Sequence, residues 1–163
     1  NQTVANFPSW AADTAVKIIP GDYNGDGRQD LALVRRTAGW TTVPIAFANS
    51  NGTFEVENEQ IGDFASWVTG GSVQILPGDY NGDKRTDLAL VNHAAGWNTV
   101  PIAFSNADGS FNLTNQQVAN FPSWATTNAV QVTSGDYNGD GKTDLSLVLN
   151  AYGWTTIPVA FKN

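Results

Sequence analysis

The 163-residue chain contains no cysteine and no methionine, and it has a single histidine, His93. The absence of cysteine excludes disulfide bonds, thiol catalysis and thiolate metal ligands, and one histidine cannot build a multi-histidine metal site. Basic residues are also few, since 8 Lys and Arg stand against 15 Asp and Glu, which gives a net charge of −7. Such an acidic chain lacks the excess of basic residues with which proteins bind the phosphates of nucleic acid.

Long apolar segments are missing as well. No run of residues approaches the roughly 20 apolar residues that cross a bilayer, and no basic amphipathic stretch indicates binding to a membrane surface. At 17.4 kDa the chain has the length of one domain and can bury a core without covalent cross-links. We therefore expect neither nucleic acid nor membrane insertion.

One sequence unit occurs three times with a spacing of 57 residues, as Trp10, Trp67 and Trp124 show. Each unit contains F-x-S-W-A or a close variant, G-D-Y-N-G-D, D-L-x-L-V and G-W-x-T-[VI]-P-[IV]-A-F, the first segment varying most. A fixed period of this length is typical of repeat architectures. The units span approximately residues 7–63, 64–120 and 121–163.

Each unit has the periodicity of short β-strands. In the first unit, the segments rich in β-branched and aromatic residues are Ala15–Pro20, Asp30–Val34, Thr42–Phe47 and Thr53–Ile61, and Gly, Asn and Asp clusters separate them. No stretch sustains the pattern of an amphipathic helix. Four strands per repeat predict an all-β fold made of propeller blades, three per chain. The alternatives are a β-sandwich and a β-solenoid, the latter requiring distinct terminal caps.

The two chain ends complement each other. The third unit stops after its third strand, and residues 1–6 resemble the latter part of the missing fourth strand. Propellers have roughly 4–8 blades, so three blades cannot close a ring and two chains can. The sequence therefore predicts a homodimer that forms a six-bladed ring, with residues 1–6 completing the partner's third blade. The alternative is that the chain is part of a larger propeller.

Three acidic loops, DYNGDGRQD (22–30), DYNGDKRTD (79–87) and DYNGDGKTD (136–144), contain nine of the fifteen acids. Oxygen-bearing side chains occupy loop positions 1, 3, 5 and 9, and position 7 offers a backbone carbonyl, as in calcium loops. An Asx-rich turn is the alternative, but only a cation relieves the repulsion among three carboxylates. We expect one Ca²⁺ per repeat and three per chain, which would bring the net charge of −7 to −1.

The predicted calcium ligands follow the same spacing in each loop. They are Asp22, Asn24, Asp26, the Arg28 carbonyl, Asp30, Asp79, Asn81, Asp83, the Arg85 carbonyl, Asp87, Asp136, Asn138, Asp140, the Lys142 carbonyl and Asp144. No bidentate Glu follows at position 12, so the loops are not EF-hands. Lys84 stands where the other loops have glycine, and a Cβ there opposes a left-handed conformation, so the second site is expected to be the weakest.

The G-D-Y-N-G-D-G-[RK]-x-D-L-x-L-V stretches resemble FG-GAP/VCBS-type repeats. That resemblance implies propeller blades with a calcium ion in the first turn of each blade. The adjoining A-G-W-[NT]-T-[VI]-P-[IV]-A-F segments resemble, in particular, mushroom propeller lectins of the oyster-mushroom lectin kind. Integrin α-subunit heads share the calcium motif as protein binders, so the motif is specific for the repeat and not for one function.

The loop order places both tryptophan families on one face of the propeller and the acidic loops on the opposite face. Clustered tryptophans suggest a binding surface, and a sugar suits it because its C–H face stacks on an indole. The candidate sugar-binding residues are Trp40, Trp97, Trp154, Arg36, His93, Asn150, Trp10, Trp67 and Trp124. The alternative for each tryptophan is packing between blades, which the flanking Phe7, Phe64 and Phe121 favour for Trp10, Trp67 and Trp124.

The sequence thus predicts a calcium-containing, multivalent lectin that binds glycans, with structural calcium. The alternative is an adhesion scaffold of the integrin-head type. We expect no enzymatic activity, because His93 has no counterpart in the other repeats and the acids are largely committed to metal. Sequons at Asn1, Asn51 and Asn112 and the calcium loops favour secretion.

Overall fold

A computed structural model describes residue 4 and residues 6–162. In it each repeat folds into one antiparallel sheet whose strands follow one another in chain order. Sheet 1 consists of β1 (Val16–Gly21), β2 (Asp30–Arg35), β3 (Val43–Ala48) and β4 (Phe54–Glu59). Sheet 2 consists of β5 (Val73–Gly78), β6 (Asp87–Asn92), β7 (Thr99–Ser105) and β8 (Phe111–Gln117). Sheet 3 consists of β9 (Val130–Gly135), β10 (Asp144–Leu149) and β11 (Val159–Ala160).

A short helix precedes each sheet: α1 (Phe7–Ala11), α2 (Phe64–Trp67) and α3 (Phe121–Ala125). The sequence predicted loops here, and the prediction missed these helices because four or five residues are too few to show helical periodicity. The first residue of each helix is a buried phenylalanine. Each helix is therefore held by packing rather than by propensity. We call each helix with its sheet a blade, numbered 1 to 3.

The register places two different apolar sets on the two faces of each sheet. In sheet 1, Ile19 is paired with Ala32, and Ala32 with Ile45, so these three share one face. That face packs against Ile75 and Leu90 of sheet 2 in a continuous buried cluster. The other face of sheet 2, which is equivalent to this face of sheet 1, packs against sheet 3 in a second cluster. The core therefore lies between successive blades, as in a propeller.

Blade 3 has three strands in the part of the chain that the structure describes. The third of these, β11, is only two residues long. The fourth strand predicted from residues 1–6 falls largely outside the described residues, which include only Val4 and Asn6 of that segment.

The all-β prediction is confirmed, and the strand positions differ from those predicted by one or two residues at their ends. The ring of two chains remains a prediction. Within the described residues, no helix has the length and apolar character needed to span a membrane.

Candidate functional site

The acidic loops connect the first and second strands of each blade and share one hydrogen-bond pattern. In the first loop, Asp22 Oδ1 accepts the N–H groups of Gly25 at 2.8 Å and Asp26 at 3.1 Å, and Asp22 Oδ2 accepts that of Gly27 at 2.8 Å. Asp79 and Asp136 accept the corresponding three N–H groups in the other loops. The first aspartate therefore organises the turn around its carboxylate.

The last aspartate of each loop is fully buried and joins the loop to the sheet. Asp30 Oδ2 accepts the N–H of Tyr23 at 2.9 Å, and its Oδ1 accepts the N–H of Ala48, at the end of β3, at 2.8 Å. Burial raises the pKa of the Asp30 carboxyl, although these two hydrogen bonds act against the rise. Burial likewise raises the pKa of Asp87 to about 6, with smaller contributions from Asp83 and Asp79.

The aspartate at loop position 5 has a basic neighbour. Asp26 Oδ2 forms an ion pair with Arg28 Nη2, and Asp83 Oδ2 forms one with Arg85 Nη2. Asp83 Oδ2 also accepts the Asn81 side-chain amide at 2.7 Å. In the third loop, Asp140 Oδ2 accepts the Asn138 amide at 3.1 Å and has no ion pair with the described residues. Within residues 4 and 6–162, no three His, Cys, Asp or Glu side chains stand together as a group that could hold a metal ion.

The donor chemistry of the loops nevertheless fits a hard cation. Every side-chain donor is a carboxylate or carboxamide oxygen, which suits Ca²⁺ and not zinc or copper. The backbone N–H of Asp26 is accepted by both Asp22 Oδ1 and Asn24 Oδ1, so the oxygens of positions 1 and 3 converge on the same turn. A carboxylate has about four lone-pair sites, so one that accepts two or three N–H groups still retains at least one for a metal.

The backbone at position 6 of each loop is left-handed, as the glycines there indicate. Gly27 has a φ of 84° and Gly141 a φ of 82°, and Lys84 adopts a φ of 69° at the same position. A side chain in this region costs roughly 1–2 kcal/mol. The expectation that this position is left-handed is confirmed, and the expectation that the second calcium site is the weakest stays a prediction.

The tryptophans contact each other in pairs within blades 1 and 2. The ring centroids of Trp10 and Trp40 are 6.4 Å apart with an interplanar angle of 71°, and those of Trp67 and Trp97 are 6.4 Å apart at 68°. Each pair joins the helix before β1 or β5 to the loop after β2 or β6. Both tryptophan families therefore lie at the strand ends opposite the acidic loops.

The exposure of the tryptophans differs between blades. Trp124 is 43% exposed, whereas Trp10 and Trp67 are half-buried like Trp40, Trp97 and Trp154. Phe7, Phe64 and Phe121 are buried, and the half-buried tryptophans also pack against the hydrophobic clusters, namely Trp10, Trp40, Trp67, Trp97 and Trp154. The tryptophans keep part of their rings accessible in every blade.

Arg36 and His93, proposed from sequence as sugar contacts, bridge successive blades. Arg36 Nη2 donates to the carbonyl oxygens of Gly71 at 2.7 Å and Val73 at 2.9 Å in blade 2. His93 Nδ1 lies 3.1 Å from the carbonyl oxygen of Ala125 in blade 3. Asn150, the third member of the set, is exposed at the end of blade 3, which no later described blade covers.

A cavity of about 330 Å³ lies between blades 1 and 2 beside Arg36. Sequence reasoning missed two of its lining residues, Lys17 and Gln74. Lys17 is paired with Val34, so it points to the blade 2 side of sheet 1. The signal available in the sequence was a charged residue interrupting an otherwise apolar strand.

The repeated sheets, the interblade cores and the acidic first turns define a protein built from propeller-type blades. The chain belongs to the FG-GAP-like repeat family, whose sequence pattern matches residues 22–90 and 79–146. No curated protein sequence matches the chain.

A lectin from the mushroom Agrocybe aegerita has a similar fold. It aligns with 90% of this chain at a TM-score of 0.66 and 21% sequence identity, and its structure is described as explaining recognition of non-reducing terminal N-acetylglucosamine. The chain spans 35% of that lectin's length. The resemblance to mushroom propeller lectins is thus confirmed at the level of the fold.

Proposed function

We propose that this protein is a calcium-containing, multivalent lectin that binds glycans through the tryptophan-bearing face between its blades. The observation that carries the proposal is the recurrence of partly exposed tryptophans at the same end of all three blades. An indole offers an apolar face to sugar C–H groups, and neighbouring hydroxyls and amides supply hydrogen bonds. The fold shared with a lectin supports this assignment.

Several sites on one rigid body would make weak binding effective. Avidity from linked sites exceeds the affinity of a single site by 10²–10⁴-fold when the geometry permits simultaneous contact. The blades are held rigid by their interblade cores, so the spacing between sites is fixed. The protein would therefore discriminate between surfaces by glycan density as well as by sugar identity.

Calcium is proposed as a structural ion in each acidic loop, held by the oxygens at positions 1, 3, 5 and 9 and the carbonyl at position 7. The loops lie on the face opposite the tryptophans, so sugar would not coordinate the ion. Binding would replace the Arg28 and Arg85 contacts to Asp26 and Asp83 by a divalent charge. The ion would stabilise the first turn of each blade, which is tied to the sheet through Asp30, Asp87 or Asp144.

The dimeric six-bladed ring is supported by a comparison among the blades themselves. Val100 is 2% exposed where blade 3 covers it, and its counterpart Ile157 is 63% exposed on the outer side of blade 3. Tyr80 and Tyr137 show the same contrast, 1% against 47%. We propose that blade 1 of a second copy covers this face and that residues 1–6 complete the partner's third blade.

The proposal is tested by a glycan array in calcium and after EDTA, with the molecular mass measured by light scattering. We expect selective glycan binding by a species near twice 17.4 kDa, and loss of binding in EDTA because the fold depends on the ion. Trp154→Ala should weaken binding, whereas Trp154→Phe should retain part of it by keeping an aromatic surface. A folded protein that binds no glycan would overturn the lectin proposal.

The second candidate is an adhesion scaffold of the integrin-head type, which the FG-GAP-like repeats equally allow. It predicts binding to a protein through the tryptophan face and no inhibition by simple sugars. Red-cell agglutination with sugar inhibition separates the two candidates. With either function we propose that the protein is secreted and has no catalytic activity.

A further inference from the structure

The cavity between blades 1 and 2 carries positive charge and no acidic side chain. Its lining includes Lys17 and Arg36 from blade 1, together with Ser72, Gln74 and His93 from blade 2. These residues lie at the strand ends that carry the tryptophans, on the side away from the acidic loops. A volume of about 330 Å³ is within the range of small-ligand sites.

The guanidinium of Arg36 is fixed, yet several of its five N–H donors have no partner in the described part of the chain. Its Nη2 donates to the carbonyls of Gly71 and Val73 at 2.7 and 2.9 Å, which holds the group against blade 2. Its Nη1 forms no hydrogen bond with the described residues, whereas its Nε–H is buried and also lacks a partner there. An immobilised cation with donors to spare is suited to an oxyanion, because little side-chain freedom is lost on binding.

Lys17 supplies a second, uncommitted charge. It is exposed, and its side chain forms no hydrogen bond or ion pair with the rest of the described chain. The acid nearest in sequence, Asp13, pairs with Arg35 at 3.0 Å, and Arg35 lies on the opposite face of sheet 1 from Lys17. The positive charge at the cavity is therefore not neutralised locally, although the protein as a whole is acidic.

The next junction shows what the same place looks like without lysine and arginine. Gln74 occupies the position of Lys17, His93 that of Arg36, and Asn150 that of His93. Gln74 Nε2 donates to the carbonyl of Val132 at 3.1 Å, and His93 lies 3.2 Å from Gln74 Oε1. These side chains bond to the protein itself, so the cationic pocket is particular to the first junction.

We propose that the cavity between blades 1 and 2 binds the carboxylate of an acidic sugar. This inference rests on the proposed lectin function and names the sugar class for one of its sites. Lys17 provides an accessible ammonium, and Arg36 provides a fixed guanidinium beside it. The second junction would bind neutral sugars only, so the blades would differ in specificity.

The test compares the methyl glycoside of glucuronic acid with its neutral carboxyl methyl ester by calorimetry at low and high salt. The wild-type protein should bind the acid roughly tenfold or more tightly than the ester, since a hydrogen bond to a charged group is gained. Salt should reduce this preference, because the site is open to solvent. Lys17→Gln, which introduces the glutamine of the second junction and leaves Arg36 in place, should reduce the preference severalfold, and Lys17→Arg should retain it.

Equal affinity for acid and ester in the wild type, or an undiminished preference in Lys17→Gln, would overturn the inference. A glycan with terminal N-acetylglucosamine, measured on the same preparations, separates this result from the lectin proposal. If that neutral glycan binds while the acid is not preferred, the lectin proposal survives alone. If the acid is preferred through Lys17 and no neutral glycan binds, the carboxylate-binding site is supported and the lectin proposal for neutral sugars is not.

Discussion

Thr86 and Asp22 exchange two hydrogen bonds across the boundary between blades 1 and 2. The Asp22 N–H donates to Thr86 Oγ1 at 3.0 Å, and the Thr86 N–H donates to the Asp22 carbonyl at 2.7 Å. Thr143 repeats the backbone contact, donating to the Asp79 carbonyl at 2.6 Å. Each acidic loop is therefore fastened to the loop of the next blade, which links the proposed calcium sites to blade packing.

Replacing Thr86 by Val tests this connection. The substitution keeps the shape of the side chain and removes the acceptor for the Asp22 N–H, so we expect a loss of about 1 kcal/mol in the free energy of unfolding. Urea denaturation measures the loss. Thr37→Val, at an exposed loop position, is the control and should change stability by less than about 0.5 kcal/mol. Equal effects of the two variants would contradict the prediction.

Lys84→Gly should stabilise the protein. Lys84 holds a φ of 69° where the other loops have glycine, and relieving a Cβ there is worth about 1 kcal/mol. Thermal and denaturant unfolding report the gain. Lys84→Ala keeps a Cβ in the same conformation and should give no comparable gain, so a similar increase from alanine would point to the charge instead.

Calcium titration by calorimetry should show three sites per chain, and Asp26→Asn should remove or weaken one of them. Asp26 supplies the oxygens at position 5 of the first loop, and an amide is a poorer ligand for a hard cation than a carboxylate. Asp13→Asn, which changes an acid outside the loops, should leave all three sites intact. A full set of unchanged sites in Asp26→Asn would exclude Asp26 as a ligand.

Ile157→Glu should prevent the two-chain ring. Ile157 is 63% exposed on the outer side of blade 3, and a carboxylate there would be buried without a partner in the proposed interface. Light scattering should give a mass near 17.4 kDa for the variant and twice that for the wild type. Ala94→Glu, in an exposed loop of the middle blade, should leave the dimer unchanged. A wild-type monomer would refute the ring.

Glu57→Gln should lower the pKa of Glu59. Burial raises the pKa of the Glu59 carboxyl, and the charge of Glu57 raises it further. Because the folded state binds this proton more readily than the unfolded state, stability falls as the pH rises from the ordinary glutamate pKa through the raised one. Glu57→Gln should reduce that fall, and a carbon-detected NMR titration reads the pKa directly. Glu55→Gln, on the same strand, is the control and should leave the pKa of Glu59 unchanged.

Much of the fold was predictable because its signals are local and repeated. The 57-residue period, the strand alternation and the Gly-rich turns each act within a few residues, and the repetition removes ambiguity that a single copy would leave. The left-handed backbone at Lys84 was predictable for the same reason, since the other two loops have glycine there. The helix at Phe7–Ala11 was not, because its stability comes from a phenylalanine packed into the core.

The candidate site was only partly predictable from the sequence. The pairing of Trp10 with Trp40 follows from loop order, which the strand count supplies. The bonds from Arg36 to Gly71 and Val73 depend on how one blade is rotated against the next, and no local pattern encodes that rotation. The cavity beside Lys17 likewise exists only once two blades are packed.

The sequence alone determined the repeat, the all-β blades and the oxygen-rich loops, because these depend on residue spacing and backbone preference within one unit. The tertiary structure decided which polar side chains connect blades, which remain available for a ligand and which apolar face is left uncovered. Those outcomes depend on long-range packing between units. Tyr80 and Tyr137 occupy equivalent positions of the repeat, yet one is buried and the other exposed, because only Tyr80 has a following blade packed against it.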